Sequence, residues 1–296
     1  MRRLLCTDLD RTLLPNGDVP ESAAARAALA LLIERAPLEL AYVSGRSLPL
    51  VLAAIDEYAL PVPDVIAADV GSSVHHRDED GWRADHGWSE NVGRYWRDGR
   101  HGRIGELLDG VGGLVPQGNE RQMPFKRSYV VEPGAERDEL ERAVLEPLEE
   151  GGIEAALLFS HDPIEGVELL DVLPAGGTKL YAVRHVRDAL GIAPEATLFS
   201  GDSGNDLDVL ASDVPSVLVA NGDARTRAAA LEAVAREGLE ATLYLARGGL
   251  VLDGGETLNG NYASGIVEGL LHFHPDLGVH LDAVAIAARL DSSGGA

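Results

Sequence analysis

Short apolar runs that stop abruptly on polar residues are the feature that most constrains this chain. "RRLLCTDLD" comes first, then "LELAYVSGRS" and "PDVIAADVGSSVHH". Residues 3–9 read as a buried strand. The stretch that follows, "ESAAARAALALLIERA", carries apolar residues at helical spacing until Pro37 stops it. "LPLVLAAIDEYAL" repeats that pattern after the second run. Strands alternating with helices over short loops predict βαβ units and an α/β fold built on a doubly wound parallel sheet. Ligands of such sheets are received at the carboxyl ends of the strands. Asp8 and Ser44 both fall at such ends and are expected to face one pocket.

The rhythm breaks and then resumes. From about Arg77 to Arg103 the chain turns rich in charge, His, Gly and Trp, and "RSYVVEP", "ERDELERAVLEPLEE", "EAALLFS" and "GVELLDVLP" suggest a small mixed sheet with helices. The strand–helix alternation returns with "TKLYAVRHVRDALGI", "ATLFSGDSGNDLDVLAS" and "VPSVLVAN". At 296 residues the chain is long for one hydrophobic core. The predicted organisation is a main domain of residues 1–78 and 172–296, with residues 79–171 inserted as an α+β unit. Trp82, Trp88 and Trp96 are expected to pack that insertion.

Composition narrows the partners. A net charge of −23 argues against nucleic acid and anionic membrane surfaces, which reward basic proteins. No apolar run is long enough to span a bilayer. Cys6, the single cysteine, has no internal partner for a disulfide. With no secretory pattern at the N-terminus, a cytoplasmic location is expected. Only two of the 25 basic residues are lysines, Lys126 and Lys179. Where arginine serves every generic purpose, a retained lysine marks a position to examine for a compact ammonium.

Four stretches carry chemistry. Asp8 and Asp10 stand two apart at a strand end, where like charges are costly unless something cationic holds them. The pair is either a solvated turn or a cation site with a nucleophile and a general acid/base. Ser44 and Gly45 in "AYVSGRS" offer a hydroxyl and backbone N–H groups for phosphate, or else a plain helix cap. Lys179 sits in the first turn of a predicted helix, where a cation opposes the helix dipole. In "LFSGDSGNDLDVLA", Asp202 ends a strand and Asn205 and Asp206 open a helix, which reads as metal support or as an N-capped turn. His75, His76, His272 and His274 lack ligand spacing on a shared face. Asn221 stands at a strand end where it can line the pocket.

The ordered set resembles the four motifs of the haloacid dehalogenase (HAD) superfamily of phosphohydrolases, and the insertion resembles its C2-type cap. Within it, "TDLDRTLL", "VSGRS", "DVGSSVHH", "QMPFKRSYVVEP" and "YASGIVEGLLHF" are similar to the sucrose-phosphate phosphatase family. The resemblance implies Asp8 as nucleophile and Asp10 as general acid/base. It implies phosphate binding by Ser44, Gly45, Lys179 and Asn205. Mg²⁺ would be held by Asp8, the backbone carbonyl of Asp10, and Asp202, supported by Asp206. It also implies sugar contact by Gln122 and Lys126 in "QMPFK", from which Met123 and Phe125 depart. The expected substrate is a phosphorylated disaccharide or glycoside. Sucrose-6-phosphate leads; glucosylglycerol, mannosylfructose, mannosylglycerate and trehalose phosphates are alternatives. A sugar-phosphate synthase is a possible partner. A receiver-type domain phosphorylated without turnover, or a phosphosugar sensor, shares part of the pattern but needs neither the cap nor the second acid.

Overall fold

Strand β1 (Arg3–Thr7) is buried along its whole length. Its pleat explains why: Leu5 points into one apolar cluster while Leu4 and Cys6 point into another on the opposite face. The computed structural model describes residues 1–96, 100–162 and 165–293. It places β1 near the middle of an eight-stranded sheet. Helices α1 (Ala25–Arg35) and α2 (Leu48–Glu57) carry the chain outward to β2 (Leu38–Val43) and β3 (Val65–Ala68), each parallel to the strand before it. A hairpin, β4 (Ser73–Asp78) and β5 (Gly81–Ala84), then extends the sheet antiparallel to its edge.

The chain leaves this sheet through α3 (His86–Gly93) and builds a second one. It consists of α4 (Arg100–Leu107), β6 (Leu114–Pro116), β7 (Arg127–Val131), α5 (Arg137–Glu150), β8 (Ala155–Asp162) and β9 (Val167–Pro174). Its strands run antiparallel in the order β6-β7-β9-β8. Tyr129, Leu140, Val144, Leu148, Leu170 and Val172 form its core.

The return runs through α6 (Lys179–Ala189) to β10 (Thr197–Gly201), α7 (Leu207–Leu210), β11 (Ser216–Leu218), α8 (Ala224–Glu237) and β12 (Leu243–Leu245). These strands stack on the other side of β1, so the main order is β12-β11-β10-β1-β2-β3-β4-β5. Helices α9 (Ala263–Phe273) and α10 (Ala283–Ser293) close the chain. Leu29 and Leu32 of α1 and Ile266 and Leu270 of α9 seal one face; Ala182, Val183 and Val186 of α6 seal the other. Each such leucine contributes about 1.5–3 kcal/mol by leaving water. Because the chain departs from β1 in opposite directions in its two halves, a crevice opens at the carboxyl ends of β1, β2 and β10. Among the described residues, no helix is long and apolar enough to cross a membrane.

Two expectations need adjusting. Positions 78/79 and 171/172, where composition divides the sequence, fall inside the β4–β5 hairpin and inside β9. The change of sheet itself lies between Ala84 and Leu114, and again after Pro174. Only Trp96 packs in the inserted sheet's core. Trp82 and Trp88 lie against the main sheet's two clusters, because β5 and α3 remain with that sheet.

One turn fixes how α6 approaches the sheet. After β3, Asp69, Val70 and Gly71 take φ values of +53°, +64° and +90°. A Cβ on Gly71 would lie 2.7 Å from the carbonyl atoms of Thr178 and 2.8 Å from the Lys179 nitrogen. Only glycine admits the start of α6 this close. Gly71→Ala is expected to lower the unfolding free energy by about 2–4 kcal/mol, from left-handed strain plus overpacking. Urea unfolding measures this; a loss below about 0.5 kcal/mol, the range of a neutral surface change, would show that α6 retreats without cost.

Candidate active site

Strand β1 ends at Thr7, and Asp8 follows with its N–H donating to the Ser200 carbonyl of β10 at 2.9 Å. The chain then folds back on itself. The Leu9 carbonyl accepts the N–H groups of Thr12, Leu13 and Leu14, and Arg11 takes a φ of +60°. It is this turn, and not the pleat of a continuing strand, that brings Asp10 to the same cleft as Asp8. Asn221 holds the turn from behind: its amide donates to the Arg11 carbonyl at 2.6 Å and accepts from the Tyr262 N–H at 2.8 Å. Asn221 therefore clamps the loop instead of presenting its amide to a ligand.

Asp202 follows β10, and the next residues form a reciprocal cap. Ser203 and Asp206 make a capping box, and one Asp206 oxygen accepts the N–H groups of Asp202 and Ser203 at 3.0 and 3.2 Å. The other accepts from Lys179 Nζ at 2.7 Å. Lys179 Nζ also lies 3.0 Å from Asp8 Oδ1 and 3.1 Å from Asn205 Oδ1. All of its surface is buried. The unfavourable position at a helix start is offset by Asp208 of α7, which accepts the Leu180 N–H at 3.2 Å.

Oxygens of Asp8, Asp202 and Asp206 all lie within 4.8 Å of one another, and all three residues are buried. Burial pushes the Asp8 carboxyl well up; Lys179 opposes this and the neighbouring carboxylates add to it. Burial and Asp206 raise Asp202 to about 7 against the pull of Arg11. Lys179 itself is raised: burial works against its charge, but Asp206 and Asp8 outweigh it.

The donor set suits a divalent cation, and one orphaned atom says so. Asp202 Oδ2 is buried and accepts no hydrogen bond; its nearest cation is Arg11 Nε at 3.5 Å. Asp8 and Asp202 thus retain oxygen capacity, whereas both Asp206 oxygens are engaged by protein donors. Asp206 orients the others. The Asp10 carboxylate lies outside the cluster, held by Arg46 Nε and Nη2 at 2.7 and 2.6 Å and by Asn16 Nδ2 at 2.7 Å. Burial works to raise its pKa, but these hydrogen bonds and the Arg46 charge bring it below the usual carboxylate range.

Ser44 is buried, and its Oγ accepts the Arg46 N–H at 3.2 Å. Helix α2 begins only at Leu48, after Ser47, so Ser44 and Gly45 sit in a loop and not at the helix start expected from sequence. A Cβ on Gly45 would stand 3.8 Å from Asn205 Nδ2, which brings together the two sides of the set expected to bind phosphate.

The inserted unit departs from expectation. Gln122 gives both amide hydrogens to the Gln117 and Ser128 carbonyls and accepts the Ser128 N–H, so its donors are spent inside its own sheet. The sugar contact implied by the resemblance would have to exchange these bonds. Lys126 is buried with Nζ 3.5 Å from the Gly45 carbonyl, bridging the inserted unit to the loop of Ser44. The residues that this unit does present to the cleft, a volume of about 460 Å³ beside Asp8 and Asp10, are Arg121, Ser160, His161 and Leu169. Sequence reasoning missed these, and missed Arg11, Asn16 and Arg46. Arg11 and Arg46 adjoin the motifs directly, so their position was a usable signal; Ser160 and His161 carry none.

Three buried carboxylates around one buried lysine, at the carboxyl edge of a doubly wound sheet that carries an inserted second sheet, define a HAD-type hydrolase. A model of the family described as sucrose-6F-phosphate phosphohydrolase matches residues 1–274. The chain belongs to that family, one of phosphoric monoester hydrolases. A protein of Nitrosococcus oceani named as a HAD-like hydrolase is 39% identical over 273 residues, 92% of this chain and 72% of that one. The mannosylfructose-phosphate phosphatase of Agrobacterium fabrum is 29% identical, covering 69% of this chain and 77% of its own. Among solved structures, the sucrose-phosphatase of Synechocystis in complex with sucrose and phosphate superimposes with a TM-score of 0.71 at 28% identity. That match covers 92% of this chain and 98% of the other. The chain spans about half the length of the tobacco sucrose-phosphatases it matches.

The buried acids carry a testable stability cost. Asp202 at about 7 in the folded chain lies above the ordinary aspartate value, so the folded state holds a proton that the unfolded state releases. The sign is then fixed: metal-free stability falls as pH rises from about 4 to about 7. In EDTA, Asp202→Asn is expected to be about 1–3 kcal/mol more stable than wild type at pH 8, with the gap closing below about pH 4. Denaturation at both pH values decides it; a less stable variant at pH 8 would mean that the carboxylate is not penalised.

Proposed function

We propose that the chain is a Mg²⁺-dependent sugar-phosphate phosphatase working through an aspartyl-phosphate on Asp8, with sucrose-6-phosphate as its leading substrate. The observation that carries this reading is Lys179 Nζ at 3.0 Å from Asp8, beside a buried Asp202 oxygen that accepts nothing. Lys179 opposes the burial and the neighbouring carboxylates that raise Asp8, and a divalent cation beside Asp202 would complete the positive field that a carboxylate nucleophile needs. Asp8, Asp202 and, by the resemblance, the Asp10 carbonyl would hold Mg²⁺. When bound, the ion would screen the charge between carboxylate and phosphoryl group.

The chain's own residues do the rest. Lys179, Asn205 and the Ser44–Gly45 loop receive the phosphoryl oxygens. Asp8 attacks phosphorus while Asp10 gives a proton to the departing sugar oxygen. Asp10 then takes a proton from water as that water displaces Asp8. The inserted unit serves as the cap, covering the cleft with Arg121, Ser160, His161 and Leu169 and keeping bulk water from the intermediate.

Mannosylfructose phosphate is the second substrate reading, favoured by the similarity to a phosphatase of that name and by Met123, whose thioether offers sugar hydroxyls no amide. Phosphate release from a panel of disaccharide and glycoside phosphates, with Mg²⁺ and with EDTA, tests the proposal. Turnover is expected with Mg²⁺, near-complete loss in EDTA, recovery on adding the ion back, and a fall of at least about 10³-fold in Asp8→Asn. Turnover undiminished in Asp8→Asn or in EDTA would overturn it.

A further inference from the structure

Arg46 is a charge in the cleft to which neither the motifs nor the chemistry above gives a task. Its Nε and Nη2 make a two-pronged contact with the Asp10 carboxylate at 2.7 and 2.6 Å, and Asn16 adds a third hydrogen bond at 2.7 Å. Its backbone is fixed as firmly. The Arg46 N–H donates to Ser44 Oγ at 3.2 Å, and its carbonyl accepts the Asp69 N–H at 2.9 Å. The Val70 N–H holds the Ser44 carbonyl at 2.9 Å. Asp69 and Val70 make these bonds with positive φ, and for a β-branched valine that conformation costs of order 1–3 kcal/mol. The fold thus accepts strain at two consecutive residues to hold the Ser44–Arg46 loop where it is.

We propose that Arg46 is the positioning residue for Asp10, aiming its carboxyl at the leaving-group oxygen, and is not a clamp on the phosphoryl group. The planar edge that would grip a phosphate is already spent on Asp10. The phosphoryl side of Asp8 has its own set in Lys179, Asn205 and Ser44. This inference rests on the phosphatase reading. Asp10 enters the first half carrying a proton taken up from solvent against the pull of Arg46; as the Asp8–phosphorus bond forms and the phosphorus–sugar oxygen bond breaks, the sugar oxygen takes that proton. As water later bonds to phosphorus and the Asp8 bond breaks, a water proton returns to Asp10. Arg46 acts through Asp10 in both halves and makes no bond itself.

The test compares kcat/KM, which reports the first half-reaction, on two phosphates. One is a sugar phosphate whose alcohol needs a proton to leave; the other is p-nitrophenyl phosphate, whose phenolate leaves without one. Arg46→Gln is expected to lose about 100-fold on the sugar phosphate and at least tenfold less than that on the aryl phosphate, matching the pattern of Asp10→Asn. Combining Arg46→Gln with Asp10→Asn should add less than about threefold, since the arginine then has nothing to aim. Arg46→Lys keeps the charge without the planar fork and should remain selective for the aryl phosphate. Thermal unfolding of each variant confirms that it is folded. Equal losses on both phosphates, or losses that multiply in the double variant, would make Arg46 a phosphate-binding group and overturn the inference while leaving the phosphatase reading intact. A wild type that hydrolyses neither phosphate would overturn both.

Discussion

A fully buried ammonium group, Lys179, is the interaction on which the rest depends. Removing a lysine from water costs several kcal/mol unless its three hydrogens find strong acceptors. Here they find Asp8, Asp206 and Asn205 at 3.0, 2.7 and 3.1 Å. The dependence is mutual, because three acids packed within 4.8 Å could not all stay ionised without a cation among them. Each local device around the site serves that arrangement. Gly71 lets α6 start against the sheet, Asp208 caps that helix, and the Ser203–Asp206 box turns the chain after β10 so that one Asp206 oxygen remains for the lysine. The orphaned Asp202 oxygen is what this balance leaves over, and it is where a second cation would be most strongly attracted.

The inserted sheet meets the main domain at points that bear on the same cleft. A Cβ on Gly204 would lie 2.8 Å from the Phe159 carbonyl, so the hairpin of β8 and β9 rests directly on the turn that carries Asn205. Glu168 of that hairpin pairs with Arg225 of α8 at 3.4 Å and with His161 at 3.2 Å, which links the position of His161 to the core. At the exit from the main sheet, one Asp85 oxygen faces both His76 and His185, at 2.9 and 2.8 Å. Partial burial alone would raise the Asp85 carboxyl, but His185, the Trp88 N–H and His76 bring it well below the usual range. His185 lies on the helix that begins with Lys179, so the point where the chain leaves the sheet and the point where it supplies its lysine are tied to one carboxylate.

The parallel sheet, the existence of a second sheet and the segments that carry Asp8, Ser44, Lys179 and Asp202 were legible because each has a local signature. Apolar runs ending on Asp or Ser mark buried strands that stop at an edge, and a lysine in an arginine-rich chain marks a special place. What was not legible depends on how the chain turns. Asp10 reaches the cleft through a loop closed on the Leu9 carbonyl, which no periodicity announces. Gln122 reads as a sugar ligand by resemblance, yet the backbone of Ser128 and Gln117 claims its amide, a pairing visible only once β7 is in place. Trp82 and Trp88 were assigned to the wrong sheet because composition changes at Arg77, whereas hydrogen bonding changes only after Ala84.

The overall charge poses a last problem, and the site resolves it locally. At −23 the molecule repels any phosphate at long range. Long-range repulsion is screened within about 8–10 Å at ordinary ionic strength, so what decides binding is the field inside the cleft. There Arg11, Arg46 and Arg121 join Lys179 against Asp8, Asp10, Asp202 and Asp206. Two of those guanidiniums are already committed, Arg46 to Asp10 and Arg11 toward Asp202. The protein's own charges therefore come close to cancelling, which leaves little net attraction for a dianionic phosphate. A divalent cation at the Asp202 oxygen that accepts no hydrogen bond would tip that balance, making anion binding conditional on cation binding. On this reasoning the acidic surface is no obstacle to phosphate chemistry: it would attract the very ion whose binding makes room for a phosphate.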